Sequence, residues 1–162
     1  MAAATHRSEA NVTLPTDEQI AIQREFDAPK HLVYKAWTTP ELVRRWWSAK
    51  RGEVTSAEID LRVGGRWRYT MVTPDGFEVA FHGEYREIAE NERIVSTEVY
   101  EGAPENEALD TVTFAEAAGK TTVNILMMLP TKQARDAVLA SGMEDGLQDA
   151  LELLEQVARS LV

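Results

Sequence analysis

Apolar and polar residues alternate in two parts of the chain, with the period of a half-buried strand. In the first part, Ile20, Ile22 and Phe26 alternate with polar neighbours. The second part runs from residue 53 to residue 129, where short turn-forming sequences separate six such segments. Short links favour antiparallel neighbours, so we expect a meander. Its predicted strands are residues 54–61, 65–73, 77–88, 93–100, 110–117 and 121–129.

Two short helices are predicted between the first strand and the meander. Pro29 and Pro40 each suit the first turn of a helix, where the missing N–H is not needed. Thr39 is placed to cap the second helix. The apolar residues that follow each proline recur at helical spacing. These residues are Leu32, Val33, Ala36 and Trp37 in the first helix, and Val43, Trp46 and Trp47 in the second.

The C-terminal part of the chain again predicts helix. A first segment is expected from residue 130 to about residue 139, and Ser141 and Glu144 have the spacing of a capping box for a second one. Gly142 and Gly146 lie in its first turns, where they either permit a bend or leave room for a ligand above the sheet. The apolar stripe of this long helix consists of Met143, Leu147, Leu151, Leu154, Ala158 and Leu161.

A chain of 162 residues predicts one domain. Residues 1–16 are small and polar without a period, so we expect a flexible tail there and a single folded domain over residues 17–162. No stretch approaches the roughly 20 apolar residues of a membrane span. The first ten residues do not have the pattern of a secretory signal. Membrane insertion is therefore not predicted.

Charge and cysteine content exclude several classes of function. The net charge of −10 argues against nucleic-acid binding, since phosphate contacts supply most of that affinity. The absence of cysteine excludes disulfides and thiolate metal sites, and it favours the reducing cytoplasm. A basic cluster is either a solvated helix face or a rim for an anionic ligand. It comprises Lys30, Lys35, Arg44, Arg45, Lys50 and Arg51.

The long helix buries its stripe only by lying across the sheet, and a curved sheet cannot touch such a helix everywhere. The hollow that remains predicts a largely apolar ligand cavity. The alternative is that the same side chains fill a core. The hydroxyls of Tyr69 and Tyr85 are the better candidates for orienting a ligand. The predicted ligand-binding residues are Trp67, Tyr69, Met71, Phe81, Tyr85, Phe114, Met127, Met143, Leu147 and Leu151.

Catalytic and metal-binding patterns are missing from the sequence. His6, His31 and His82 do not have the spacing of metal ligands, and His82 is predicted on the outer face of its strand beside Glu78 and Glu84. No G-x-S-x-G, H-E-x-x-H or P-loop sequence occurs. No catalytic residue, metal or cofactor is therefore predicted.

Ten short motifs are distributed along residues 20–160, and each occurs once. They are FDAP (26–29), AWT (36–38), PEL (40–42), RWW (45–47), IDLR (59–62), GGRWRY (64–69), PDG (74–76), GEYREI (83–88), ERI (92–94) and SGM (141–143). With these motifs, the order of elements resembles the START-like (SRPBCC) superfamily, and within it the heat-shock chaperone ATPase activator homologue family. The resemblance implies an α+β helix-grip fold with a deep cavity between the curved sheet and the last helix. Its relatives bind lipids, sterols or polyketides, and a minority catalyse cyclisation or hydrolysis.

These observations favour a soluble binding protein for a small hydrophobic or amphipathic molecule, with an anionic end near Arg66, Arg68 or the basic helices. One alternative is a cavity enzyme of the polyketide cyclase/aromatase or hydrolase type. It requires an inward titratable group with a perturbed pKa, which the pattern does not identify. Another is a chaperone-interacting module that uses residues 44–47, and it requires exposed tryptophans. A weak homodimer is a further expectation.

Overall fold

The computed structural model describes residues 9–162. Its strands form one eight-stranded sheet in the order β1-β2-β8-β7-β6-β5-β4-β3, and each strand is antiparallel to its neighbours. The elements in chain order are β1 (Asn11–Thr13), β2 (Gln19–Phe26), α1 (Lys30–Thr38), α2 (Pro40–Val43), β3 (Glu53–Ile59), β4 (Arg66–Val72), β5 (Glu78–Ala89), β6 (Arg93–Tyr100), β7 (Ala108–Ala117), β8 (Lys120–Met128), α3 (Lys132–Ala140) and α4 (Met143–Ser160).

The α+β helix-grip architecture and the antiparallel meander from β3 to β8 are confirmed. The first predicted strand, β2, pairs with the last strand of the meander, β8, so the chain returns to its own beginning. Part of the predicted tail, residues 1–8, lies outside the described residues. Within the rest of it, Asn11–Thr13 form β1, which adds an edge strand beside β2.

Two local predictions about helix ends are wrong. The second helix does not extend to Trp46 and Trp47, because α2 ends at Val43 and both tryptophans lie in the turns after it. The indole Nε1 of Trp46 donates to the carbonyl of Ala36 at 3.0 Å, so a tertiary contact fixes this segment. Thr39 is the N-cap residue of α2, but its side chain makes no capping hydrogen bond.

The predicted capping box at Ser141 is also absent. Ser141 instead ends α3, and its hydroxyl donates to the carbonyl of Val138 at 2.6 Å. Gly142 is the N-cap of α4 and has a φ of 82°, in the left-handed region that glycine tolerates at little cost. This residue therefore makes the bend between α3 and α4. Gly146 leaves open space, because a Cβ there would meet nothing within 4 Å.

Helix α4 is anchored mainly by its C-terminal half. Leu154 and Ala158 are fully buried, and α4 packs against α1. Glu155 accepts a hydrogen bond from the backbone N–H of Asp27 at 2.7 Å and lies 3.5 Å from the guanidinium of buried Arg24. In the first half of the helix, Leu147 is only half-buried. The helix therefore leaves space between its first turns and the sheet.

Gly83 makes room for a large side chain in this space. It lies opposite Trp67 in the ladder between β4 and β5. A Cβ at position 83 would lie 1.8 Å from the backbone oxygen of Thr97 and 2.5 Å from Nε1 of Trp67. Since backbone atoms cannot yield as a flexible side chain does, only glycine fits here without a shift of the sheet.

We expect Gly83→Ala to lower the free energy of unfolding by about 2–3 kcal/mol, the upper range for overpacking a core position. The matched control is Gly146→Ala, which has open space for its methyl group and should raise the free energy of unfolding by up to about 1 kcal/mol through helix propensity. Urea unfolding monitored by circular dichroism measures both changes. An unchanged midpoint for Gly83→Ala would contradict the close approach of Trp67.

Candidate ligand-binding cavity

A cavity of about 470 Å³ lies between the sheet and the first half of α4. Its floor consists of side chains from β2 and from β4 to β8, and its sides come from the segment after α2 and from the junction of α3 and α4. The volume falls within the roughly 300–1,000 Å³ that is typical of small-molecule sites. The sheet and α4, which the helix-grip fold brings together, form the floor and the roof of this partly open space.

Nine of the ten predicted ligand-binding residues line this cavity. The exception is Phe114, which is only 2% exposed. Its ring contacts those of Tyr34 and Trp37, with centroids at 5.4 and 5.7 Å, so it belongs to the core under α1. The nine lining residues are Trp67, Tyr69, Met71, Phe81, Tyr85, Met127, Met143, Leu147 and Leu151.

Aromatic rings form one wall of the cavity. The ring of Trp47 contacts those of Tyr69 and Phe81 edge to face, with centroids at 5.5 and 5.6 Å. Trp67 lies against Tyr69 at 4.8 Å. Trp47 was not among the predicted ligand-binding residues. Since it is half-buried in the cavity wall and Trp46 is 6% exposed, they do not form the exposed patch that the chaperone-interacting alternative requires.

Polar side chains interrupt the apolar lining at one place, which we call the polar patch: Tyr69, Tyr85, Ser96, Glu98 and Asp110. Strand register brings it together, because Ser96 pairs with Tyr85 on one side and with Asp110 on the other. Glu98 and Asp110 share a side-chain hydrogen bond, and so do Tyr69 and Tyr85. The sequence analysis identified the two tyrosine hydroxyls of this patch, but not Ser96, Glu98 and Asp110.

Burial raises the pKa of both carboxyl groups in the polar patch. Loss of solvation is the main cause for Glu98, partly offset by its hydrogen bond with Asp110. Burial raises the pKa of Asp110 well above its ordinary range, and the neighbouring charge of Glu98 and their hydrogen bond raise it further. The two carboxyls therefore keep a shared proton at pH values where exposed acids are ionised. These are the inward titratable groups that the enzyme alternative requires.

Two polar atoms in the lining have no hydrogen-bond partner. They are Oδ1 of Asp110, whose residue is 8% exposed, and Nε1 of Trp67, also 8% exposed. A buried polar group without a partner costs about 1–3 kcal/mol. Both atoms have almost no exposed surface themselves, so this cost lies in the packing of the cavity wall.

Arg66 and Arg68 do not lie at the cavity, so the predicted anionic end beside them is wrong. Their side chains alternate with the inward Trp67 and are exposed on the opposite face of the sheet. There Arg68 makes two hydrogen bonds of 2.9 Å to Glu101, which also contacts His82. Of the basic cluster, Arg51 lines the cavity, but it is ion-paired with Asp149 at 2.9 Å.

The residues described contain no group of three or more side chains that could hold a metal ion. Within residues 9–162, no helix is both long enough and apolar enough to cross a membrane.

A model of the family described as Activator of Hsp90 ATPase homolog 1-like protein matches residues 27–159. The chain belongs to this family. No curated protein matches its sequence. The match shows the family and does not identify a ligand.

Solved structures of several bacterial proteins share the fold. A protein of Rhodobacter sphaeroides is 24% identical, with a TM-score of 0.87 over 94% of this chain and 99% of that one. Ms6760 of Mycobacterium smegmatis is 24% identical, with a TM-score of 0.80 over 94% and 98% of the two chains. The AHSA1-like protein of Aeromonas hydrophila is 23% identical, with a TM-score of 0.67 over 88% and 93%.

We expect Asp110→Asn to stabilise the protein increasingly as the pH rises. A carboxyl whose pKa is raised in the folded state contributes stability below its unfolded value, about 4, and loses it as the pH rises through its folded value. The free energy of unfolding of the variant relative to the original protein should therefore grow between about pH 4 and pH 8, by up to about 1.4 kcal/mol per unit of raised pKa.

Urea unfolding at several pH values measures this difference. The other titratable side chains that line the cavity are Arg51, Tyr69, Tyr85 and Glu98, and burial keeps both tyrosines neutral by raising their pKa. Glu107→Gln, at an exposed position, is the control and should show no such trend. A difference that stays flat across the range would show that Asp110 is solvated and ionised.

Proposed function

We propose that this protein binds a small hydrophobic or amphipathic molecule in the cavity between the curved sheet and α4. The observation that carries the proposal is the partly open cavity of about 470 Å³ with its mainly apolar lining. Aromatic and aliphatic side chains supply affinity at about 25 cal/mol per Å² of apolar area removed from water, less the cost of ordering the ligand. The polar patch supplies the few directional contacts that orient a ligand.

The first half of α4 is the part of the wall best suited to admit a ligand. Met143 and Leu147 are half-buried, and Gly142 provides a bend where this half begins. Arg51 and Asp149 form an exposed ion pair at the same edge, and such pairs contribute little to stability. Small movements of these turns open the cavity without disturbing the buried C-terminal half of the helix.

A second candidate function is catalysis in the same cavity, favoured by the hydrogen-bonded pair Glu98 and Asp110. Buried carboxyls with raised pKa values are suited to give or take a proton near neutral pH. This arrangement fits proton transfer to a bound substrate during cyclisation or hydrolysis. Turnover that Asp110→Asn abolishes, with ligand binding retained, would identify the protein as an enzyme of this kind.

The absence of cysteine supports a place in the reducing cytoplasm for this binding function. A chaperone partner receives support from the family name alone, since the tryptophans at positions 46 and 47 face inward.

Decanol, a neutral amphipathic probe, should bind to the purified protein and change the tryptophan fluorescence, since Trp37, Trp46, Trp47 and Trp67 all line the cavity. Leu147→Trp places a larger side chain in the cavity and should weaken decanol binding at least about tenfold, which corresponds to about 1.4 kcal/mol. Isothermal calorimetry measures this affinity independently of the added indole. Native mass spectrometry of the protein as purified checks for a ligand already bound.

Leu109→Trp is the matched control. Leu109 is 39% exposed and lies beside the inward Asp110, hence on the opposite face of β7. Its substitution adds the same side chain away from the cavity and should leave the decanol affinity unchanged. Absence of binding by decanol and of any co-purified molecule would refute the proposed function. Equal affinities in Leu147→Trp and Leu109→Trp would place the ligand elsewhere.

A further inference from the structure

Asp110 and Glu98 line the cavity as a hydrogen-bonded pair of carboxyl groups. Oδ1 of Asp110 is buried and has no donor from another kind of group. A carboxylate oxygen in an apolar enclosure is stable only with a partner that donates hydrogen bonds or carries positive charge. Ser96, which pairs directly with Asp110 across the sheet, adds a hydroxyl beside it. The pair therefore offers carboxyl oxygens to a hydrogen-bond donor or a cation in the cavity.

We propose that Glu98 and Asp110 form a subsite for a positively charged nitrogen at the buried end of the ligand, an alkylammonium group in particular. This inference rests on the proposed function, because it assigns the chemistry of one end of the molecule in the cavity. It replaces the anionic end that the sequence suggested near Arg66 and Arg68.

The charges that face the cavity favour a cation over an anion. The lining contains two carboxyls and one guanidinium, that of Arg51, and the guanidinium is already ion-paired with Asp149. A ligand carboxylate would therefore meet repulsion and no free cationic partner. The net charge of −10 adds to this preference, since it attracts cations during diffusional encounter.

The aromatic wall supports the same chemistry. The rings of Trp47, Trp67, Tyr69 and Phe81 lie within 5.6 Å of at least one neighbour in this group and line the cavity together. The face of an aromatic ring attracts ammonium groups, and tryptophan does so most strongly. A carboxyl pair beside several such rings thus offers a cation both hydrogen-bond acceptors and π faces, whereas a neutral alcohol gains less from either.

A cation at this subsite should displace the shared proton of the pair. Positive charge favours the ionised carboxylates, so it lowers their raised pKa values toward the ordinary range. Binding of an alkylammonium then releases a proton, whereas binding of an alcohol does not. The ligand amine itself stays charged, since the ordinary pKa of an alkylamine resembles that of lysine, about 10.4. Tyr69 and Tyr85, which belong to the same polar patch, stay neutral near neutral pH because burial raises their pKa.

The test compares decylamine, decanol and decanoate, which share one chain and differ in their end groups. Isothermal calorimetry on the full chain gives the affinities, and repetition in two buffers of different ionisation enthalpy gives the protons released. We expect decylamine to bind about tenfold or more tightly than decanol, as a charge-assisted contact allows. Decanoate should be the weakest of the three. Proton release should accompany decylamine alone.

Substitutions then locate the preference. Asp110→Asn and Glu98→Gln keep the size of each side chain, and each should reduce the ratio of decylamine to decanol affinity to within about threefold. Circular dichroism and urea unfolding verify that both variants fold, and the two substitutions serve as independent tests. Glu107→Gln removes one exposed carboxylate of the same charge and should leave the ratio unchanged.

Three results would overturn the inference. Equal affinity for decylamine and decanol would show that the cavity binds ligands without a subsite for a cation, so the proposed function would stand. A preference for decylamine that persists in Asp110→Asn and Glu98→Gln would assign it to attraction by the acidic surface. Tighter binding of decanoate than of decylamine would show that the cavity prefers a ligand with an anionic end group. Failure of all three probes, by contrast, would count against the proposed function itself.

Discussion

The anchoring of α4 at one end is the constraint on which the rest of the structure depends. Leu154 and Ala158 are fully buried, and Glu155 bonds to the backbone of Asp27 and to the buried Arg24. These contacts fix the direction of the helix from its C-terminal half. The sheet curves away beneath the other half, so the first turns of α4 cover a space that their side chains do not fill. The cavity is a consequence of this geometry, and its depth sets the size of the molecule that fits.

The cavity combines an apolar lining with groups that are costly to bury. Desolvation raises the pKa of Glu98 and Asp110, and Oδ1 of Asp110 has no partner. In a side-chain core such groups would be replaced by aliphatic residues, which stabilise more. Sites where a fold departs from optimal packing are often functional. This departure lies in the floor of the cavity under α4, which links the cost in stability to recognition of a ligand.

Much of the fold is predictable from local pattern. Alternation locates the six strands of the meander to within a few residues, and the stripe from Met143 to Ala158 locates α4. Alternation also places Trp67 and Tyr69 on the inner face. It does not distinguish an inward position that lines the cavity from one that is covered by a helix. For this reason Phe114 was predicted to line the cavity, whereas it lies in the core under α1.

The carboxyl pair of the polar patch could not be predicted, because it arises between strands. Glu98 lies in a stretch rich in glutamate, where a solvated strand edge is the ordinary interpretation, and only its register beside β7 brings it to Asp110. The one local signal was that Asp110 shares the alternation of buried Val112. Trp47 was missed for a related reason: a turn after α2, set by tertiary contacts, carries it into the cavity wall.

The most direct measurement of the central claim is a crystal structure of the protein under xenon pressure. Xenon enters apolar cavities that side chains leave empty, so it reports the space itself without a choice of ligand. If the C-terminal anchor holds α4 away from the sheet, xenon or a ligand already bound should be found between Leu147 and Trp67. Side chains packed in direct contact across that gap, with xenon absent, would contradict it.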